Sequence, residues 1–212
     1  MPERRVRMEA GPHELEAAFE AGPGPDGAVL CHPHPLYGGN MDNNVVMALR
    51  KSLSAAGWAT LRFNFRGVGS SGGEYGDGTG EVDDLLTAAA YLQAQGPTRI
   101  HMVGYSFGAW IVLRAIQQGP VPTSLVLISP PVDFLDFSSL ALPPVATLIT
   151  LGNEDSFCSL SALKNWLQKA TDTPQSVRLE ILEGCDHFHW GHESALDSIV
   201  LNFATSLTAG TR

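Results

Sequence analysis

The stretch Ile100-His101-Met102-Val103-Gly104-Tyr105-Ser106-Phe107-Gly108, running on through Trp110, Ile111, Val112 and Leu113 to Gln118, decides the fold. Ile100 to Val103 reads as a strand. From Phe107 to Gln118 the apolar residues fall at helical spacing. Between them stands G-x-S-x-G, and a strand turning sharply through that motif into a helix is the setting of a nucleophile elbow. Such a turn holds the serine in a strained backbone conformation, so a side chain at either glycine would collide with the turn. Its hydroxyl is then presented above the sheet edge, and the Phe107 N–H at the helix start is free to donate to a developing oxyanion. The ordinary alternative is a glycine-rich turn without chemistry. The strand before it and the helix after it favour the elbow.

The same rhythm extends along the chain in both directions. Ala28 to Cys31, Thr60 to Phe65, Leu125 to Ile128, Ala146 to Leu151 and Val177 to Leu182 read as further strands, several of them apolar at almost every position. That is the pattern of parallel strands covered on both faces. Helical patterns separate them. Asp42 is placed to cap a helix carrying Val45, Val46, Leu49, Leu53 and Ala56 and ended by Gly57, and others run over Glu81 to Gln95, Leu160 to Ala170 and Glu193 to Leu207. Arg5 to Glu9 and Glu14 to Glu20 read as two antiparallel edge strands. The expectation is one α/β domain over residues 1–212, a doubly wound, mostly parallel sheet of about eight strands with helices on both faces. Ligands of such sheets sit at the carboxyl ends of the strands.

Composition excludes several functions. The 212 residues are 44% hydrophobic and only 17% charged, enough apolar surface for a packed core and too much for a disordered chain. Net charge is −9, with 13 basic against 22 acidic residues, which disfavours nucleic acid and anionic membranes as partners. Apolar runs such as Leu125 to Ile128 are far shorter than the roughly 20 residues needed to span a bilayer. Met1-Pro2-Glu3-Arg4-Arg5 has no apolar secretion signal, and Cys31, Cys158 and Cys185 form no C-x-x-C pair, so a cytoplasmic location with free thiols is expected.

A serine nucleophile needs a base, and the base needs an acid to orient it. After an elbow the partners come in the order acid, histidine, each in the loop following a later strand. Asp155 stands in Gly152-Asn153-Glu154-Asp155 after one such strand, and His187 in Gly184-Cys185-Asp186-His187-Phe188 after the next. Glu154 and Asp133 are competing acids. His187, His189 and His192 crowd together, and with His32 and His34 they raise a metal site, but no acidic ligand motif accompanies them and no metal is expected. His189 and His192 are read instead as partly exposed polar residues opening the last helix. In His32-Pro33-His34-Pro35-Leu36 the prolines have no N–H, leaving the His34 backbone as the natural second oxyanion donor and Leu36 as the next choice. Tyr37, Tyr105 and Phe188 or Trp190 are placed to wall the substrate cleft.

Leu30 to Gly39 (LCHPHPLYGG), Phe63 to Gly72 (FNFRGVGSSG) and the elbow together resemble the small lidless α/β-hydrolases of bacteria, which are similar to dienelactone hydrolases, carboxylesterases and serine aminopeptidases. The resemblance runs from about Ala28 to His187. It implies the α/β-hydrolase fold, Ser106 as nucleophile, Asp155 as acid, His187 as base, and His34 and Phe107 as oxyanion donors. Dienelactone hydrolases proper carry cysteine at the nucleophile position, so Ser106 points toward general ester, thioester or amide hydrolysis of a small acyl substrate without a cofactor. A cap in this fold would lie between Ser129 and Pro144, a connection too short and too proline-rich to build one. An open cleft and short acyl groups follow. Oligomeric state is left open, a homodimer being one option. Two rivals differ in class. Gly67-Val68-Gly69-Ser70-Ser71-Gly72 matches a dinucleotide fingerprint, but no helix opens there and Glu74, Asp77 and Glu81 would repel a pyrophosphate. A catalytically silent hydrolase-fold binding module is the other, and organophosphate labelling of Ser106 separates it from an enzyme.

Overall fold

The computed structural model describes residues 2–171 and 176–209. The chain opens with β1 (Arg4–Ala10) and β2 (His13–Glu20), which pair antiparallel. β3 (Asp26–Cys31), β4 (Ala59–Phe63), β5 (Arg99–Tyr105), β6 (Ser124–Ile128), β7 (Ala146–Gly152) and β8 (Val177–Leu182) follow, alternating with α1 (Asn44–Ala55), α2 (Thr79–Ala94), α3 (Phe107–Ile116), α4 (Leu160–Ala170) and α5 (Glu193–Ala209). They form one eight-stranded sheet in the order β1-β2-β4-β3-β5-β6-β7-β8, parallel from β4 onward.

Continuously apolar strands must bury both faces, and here successive residues alternate between two cores. Val29 and Cys31 of β3 and Leu125 and Leu127 of β6 join a core with α2, α3 and α4. Ala28, Leu30, Val126 and Ile128 face the other way, onto α1 and α5. In register, Cys31 lies beside Gly104, Tyr105 beside Ile128, Ile128 beside Thr150, and Gly152 beside Leu182. The carboxyl ends of five parallel strands are therefore level, and the loops leaving them emerge side by side.

The Ser129–Pro144 connection contains no helix. Phe137, Leu140 and Leu142 are buried, and the Trp110 and Trp166 indoles donate to the carbonyls of Asp136 and Leu140. The segment lies down on α3 and α4.

Local readings shift in three places. Asn43 caps α1 by accepting from the Val45 N–H at 3.0 Å, while Asp42 is drawn into a pair with Arg62. α2 begins at Thr79, ahead of Glu81, because the buried Glu81 carboxylate accepts from the N–H groups of Gly76 and Gly78, both at 2.8 Å. Only β1 is an edge of the upstream pair, since β2 also pairs antiparallel with β4.

Candidate active site

Ser106 sits between β5 and α3 with φ +53° and ψ −118°, a conformation costing a residue with a side chain on the order of 1–3 kcal/mol. Both flanking glycines are needed. A Cβ on Gly104 would strike the Gly108 carbonyl and the Ala109 nitrogen, and one on Gly108 would strike the Cys31 carbonyl of β3. The strain is held from both sides: the Ser106 N–H donates to the Ile128 carbonyl at 2.9 Å, and the Ser106 carbonyl accepts from the Ala109 N–H at 2.9 Å.

Ser106 Oγ lies 2.8 Å from His187 Nε2, and His187 Nδ1 lies 2.8 Å from Asp155 Oδ2. The second carboxylate oxygen, Oδ1, accepts from the Phe157 N–H at 2.8 Å and the Cys158 N–H at 3.1 Å. An acceptor with all these donors is fixed in rotation, which fixes the imidazole in turn. The competing acids are occupied or turned away. Asp133 accepts from the Ser159 N–H at 2.7 Å, and Glu154 is exposed, its backbone tied to Cys185.

The N–H groups of His34 and Phe107 have no partner among the described hydrogen bonds, whereas the Leu36 N–H is committed to His34 Nδ1 at 3.2 Å. Of the two donors considered in that loop, His34 is the one left free. Its imidazole caps the short 3₁₀ turn Pro35–Tyr37 and packs on Phe107 with ring centroids 4.8 Å apart. Ser106, His187, His34 and Phe107 line a cleft of about 330 Å³ with Tyr37, Phe134, Phe157 and Phe188.

Residues 28–157 match the Alpha/beta hydrolase family. The chain belongs to that family. A crystallized serine hydrolase without a lid from Xanthomonas campestris matches this α/β-hydrolase with a TM-score of 0.88 and 30% identity, over 98% of this chain and 96% of that one. A serine hydrolase homologue from Coxiella burnetii matches with a TM-score of 0.87, also at 30% identity, over 95% and 97%. An uncharacterized protein of Rickettsia prowazekii (strain Madrid E) is 39% identical over 168 residues, 76% of this chain and 71% of its own. With its short connection after β6, this hydrolase is lidless as well.

Of the expected cleft walls, Tyr37, Tyr105 and Phe188 line the cleft and Trp190 does not. Tyr105 reaches the cleft but is only 1% exposed, and its hydroxyl donates to the His187 carbonyl at 2.8 Å. It anchors the histidine loop. Trp190 does not line the cleft and is 69% exposed. His189, between Phe188 and Trp190, has φ +58° and is buried, while Phe188 lines the cleft and Trp190 is turned to solvent.

His189 also corrects the reading of a partly exposed polar residue. It is wholly buried beside the Tyr105 ring, with Nε2 3.0 Å from Ser129 Oγ and Nδ1 3.3 Å from Cys185 Sγ. Burial pulls its pKa down to about 4 and pushes the Cys185 thiol up to about 11, so the pair stays neutral. Nothing in the sequence marks this inward turn except the nearness of His187. His192 remains partly exposed at the start of α5. His32, also wholly buried, has Nδ1 2.6 Å from the Pro33 carbonyl, while Nε2 accepts from the Phe65 N–H at 3.1 Å. It therefore carries its proton on Nδ1 and staples the oxyanion loop to the end of β4; desolvation takes its pKa to about 4. The ring nitrogens of His32 and His189 are thus spent within the protein, and among the described residues no group of three or more His, Cys, Asp or Glu is arranged to hold a metal ion.

The glycine-rich loop has an internal occupant. Glu16 Oε2 accepts from the Ser70 N–H at 2.9 Å and from Asn64 Nδ2 at 2.8 Å, and a Cβ on Gly69 would collide with both Glu16 and Asn64. A carboxylate of the protein fills the place a pyrophosphate would need, and α2 starts only at Thr79.

A second Ser-His-Asp chain lies at the opposite end of the sheet. His101 joins Ser124 Oγ at 2.7 Å to Asp26 Oδ1 at 2.9 Å and stacks on Trp58. All three residues are buried and none of them lines the Ser106 cleft, so that chain acts as a structural tie.

Proposed function

We propose that the protein is a serine hydrolase that cleaves carboxylic esters of small substrates through an acyl-enzyme. The observation that carries this reading is the unbroken hydrogen-bonded run from Asp155 through His187 to a strained serine that opens into a cleft. Neutral His187 accepts the Ser106 hydroxyl proton at Nε2 as Oγ attacks the substrate carbonyl carbon. The imidazolium is stabilised by Asp155, which keeps the Nδ1 proton and the ring orientation. Charge developing on the carbonyl oxygen meets the His34 and Phe107 N–H groups, the latter at the positive end of α3. His187 then protonates the departing alkoxide. Water repeats the cycle on the acyl-enzyme and regenerates Ser106.

An alkyl fluorophosphonate tests this directly. Ser106 should be labelled stoichiometrically, and Ser106→Ala should abolish both labelling and hydrolysis of 4-nitrophenyl acetate. A folded wild-type protein that neither reacts with the probe nor turns over the ester is a binding module.

A further inference from the structure

The cleft offers a substrate no ionic partner. Among its described lining residues there is no Asp, Glu, Lys or Arg. A carboxylate or free amine on the substrate would lose water there without gaining a counter-charge, which an apolar site penalises.

What the cleft offers is rings. Of the six exposed large apolar side chains among the described residues, Tyr37, Phe134 and Phe188 line it, Leu36 precedes Tyr37, and Trp190 stands two residues after Phe188. Phe157 packs on the His187 imidazole with centroids 4.6 Å apart. Phe134 meets Phe157 at 5.4 Å and 89°, and Phe188 meets it at 6.3 Å and 86°. Phe134 and Phe188 remain 47% and 49% exposed, so this cluster of rings standing edge to face is half-uncovered. A further ring can join such a cluster by edge-to-face or offset contact, which a saturated ring of similar size cannot reproduce.

Chemistry decides which side of the ester meets these rings. The leaving oxygen must come within hydrogen-bond reach of His187 Nε2 to be protonated. The alcohol substituent therefore departs beside the side chains packed on His187. Resting on the ester-hydrolase reading above, we infer that the substrate is an uncharged ester whose alcohol carries an aromatic ring, seated among Phe134, Phe157 and Phe188.

Three acetates test the inference: benzyl, cyclohexylmethyl and 4-carboxybenzyl, whose alcohols are close enough in basicity for recognition to dominate. kcat/KM for benzyl acetate should exceed that for cyclohexylmethyl acetate by about tenfold, the upper range of one aromatic contact. The carboxylate should reduce the benzyl value by at least about tenfold through unpaired burial of its charge. Phe134→Leu, and independently Phe188→Leu, should bring the benzyl-to-cyclohexylmethyl ratio down toward one. Equal rates for the ring and its saturated analogue, or an unpenalised carboxylate, would overturn the inference while leaving ester hydrolysis intact. If none of the three acetates nor 4-nitrophenyl acetate is hydrolysed, the ester-hydrolase reading falls and takes the inference with it.

Discussion

At the scale of the residue, the arrangement depends on Asp155 more than its carboxylate charge alone would suggest. One oxygen holds His187 Nδ1, and the other is held by two backbone N–H groups. Replacing Asp155 by Asn keeps the shape but offers an NH₂ where the imidazole needs an acceptor, which favours the wrong tautomer. Under the proposed chemistry kcat should fall by about 10⁴. Asp133→Asn should leave kcat within a few-fold, because Asp133 serves the start of α4 through the Ser159 N–H. Glu154→Gln should do the same. Steady-state kinetics on the three variants decides the acid, and a crippled Asp133→Asn beside an active Asp155→Asn would reassign it. Asp155 and His187 were legible in the sequence because topology names their loops in advance: each follows a parallel strand whose end is level with Ser106. His189 was not. Its side chain is polar and sits among other histidines, and its burial at a positive φ depends on partners, Ser129 and Cys185, that no local pattern marks. Tyr105 was legible as a neighbour of Ser106 but not as an anchor, since its partner is a backbone carbonyl far along the chain.

At the scale of the element, strands and helices follow from periodicity, while their ends follow from competition for partners. Val177–Leu182 and Leu160–Ala170 stand where their patterns place them. The start of α1 moved by one residue because Arg62, nearly buried, takes the Asp42 carboxylate and leaves capping to Asn43. No local rule contains that ion pair. The connection after β6 matters most for access. Four prolines restrict it, and its apolar residues Phe137, Leu140 and Leu142 are spent on the body, leaving Phe134 at the cleft. A lidless cleft of about 330 Å³ buries few methylenes, each worth only about 0.8 kcal/mol. With one alcohol held constant, kcat/KM should be greatest for acetyl to butyryl esters, with no jump in rate when the substrate forms micelles. An optimum at eight or more acyl carbons would reveal a tunnel that the connection does not leave room for.

At the scale of the whole molecule, two features give opposite predictions for stability below neutral pH. A chain with net charge −9 repels itself, and protonating its carboxylates as the pH falls should relieve that repulsion. The buried histidines act in the other direction. Desolvation holds His32 and His189 at about 4, and it also lowers His101 despite the pull of Asp26. In the unfolded chain each titrates near the ordinary histidine value of about 6.5. As the pH drops through that value the unfolded state takes up protons that the folded state refuses, so stability is fully present above about 6.5 and declines until the folded histidines protonate near 4. His32 and His189 would each cost about 3 kcal/mol over that window, a large share of the 5–15 kcal/mol typical of a domain. Glu3 and Glu16 follow later. Arg62 lowers the first and the Ser70 N–H the second, so their stabilisation is present above the usual carboxylate value and lost only as the pH falls below it. The sign of the slope distinguishes the two features. Urea unfolding at intervals from pH 7.5 to 4 should show stability falling by roughly 1.4 kcal/mol per pH unit for each histidine held neutral, beginning near pH 6.5. A midpoint that stays level or rises between pH 7 and pH 5 would mean that charge relief dominates. His32 and His189 would still be neutral across that interval, with Nε2 of His32 held as the acceptor of the Phe65 N–H, and their refusal of protons would simply be outweighed by the repulsion relieved elsewhere.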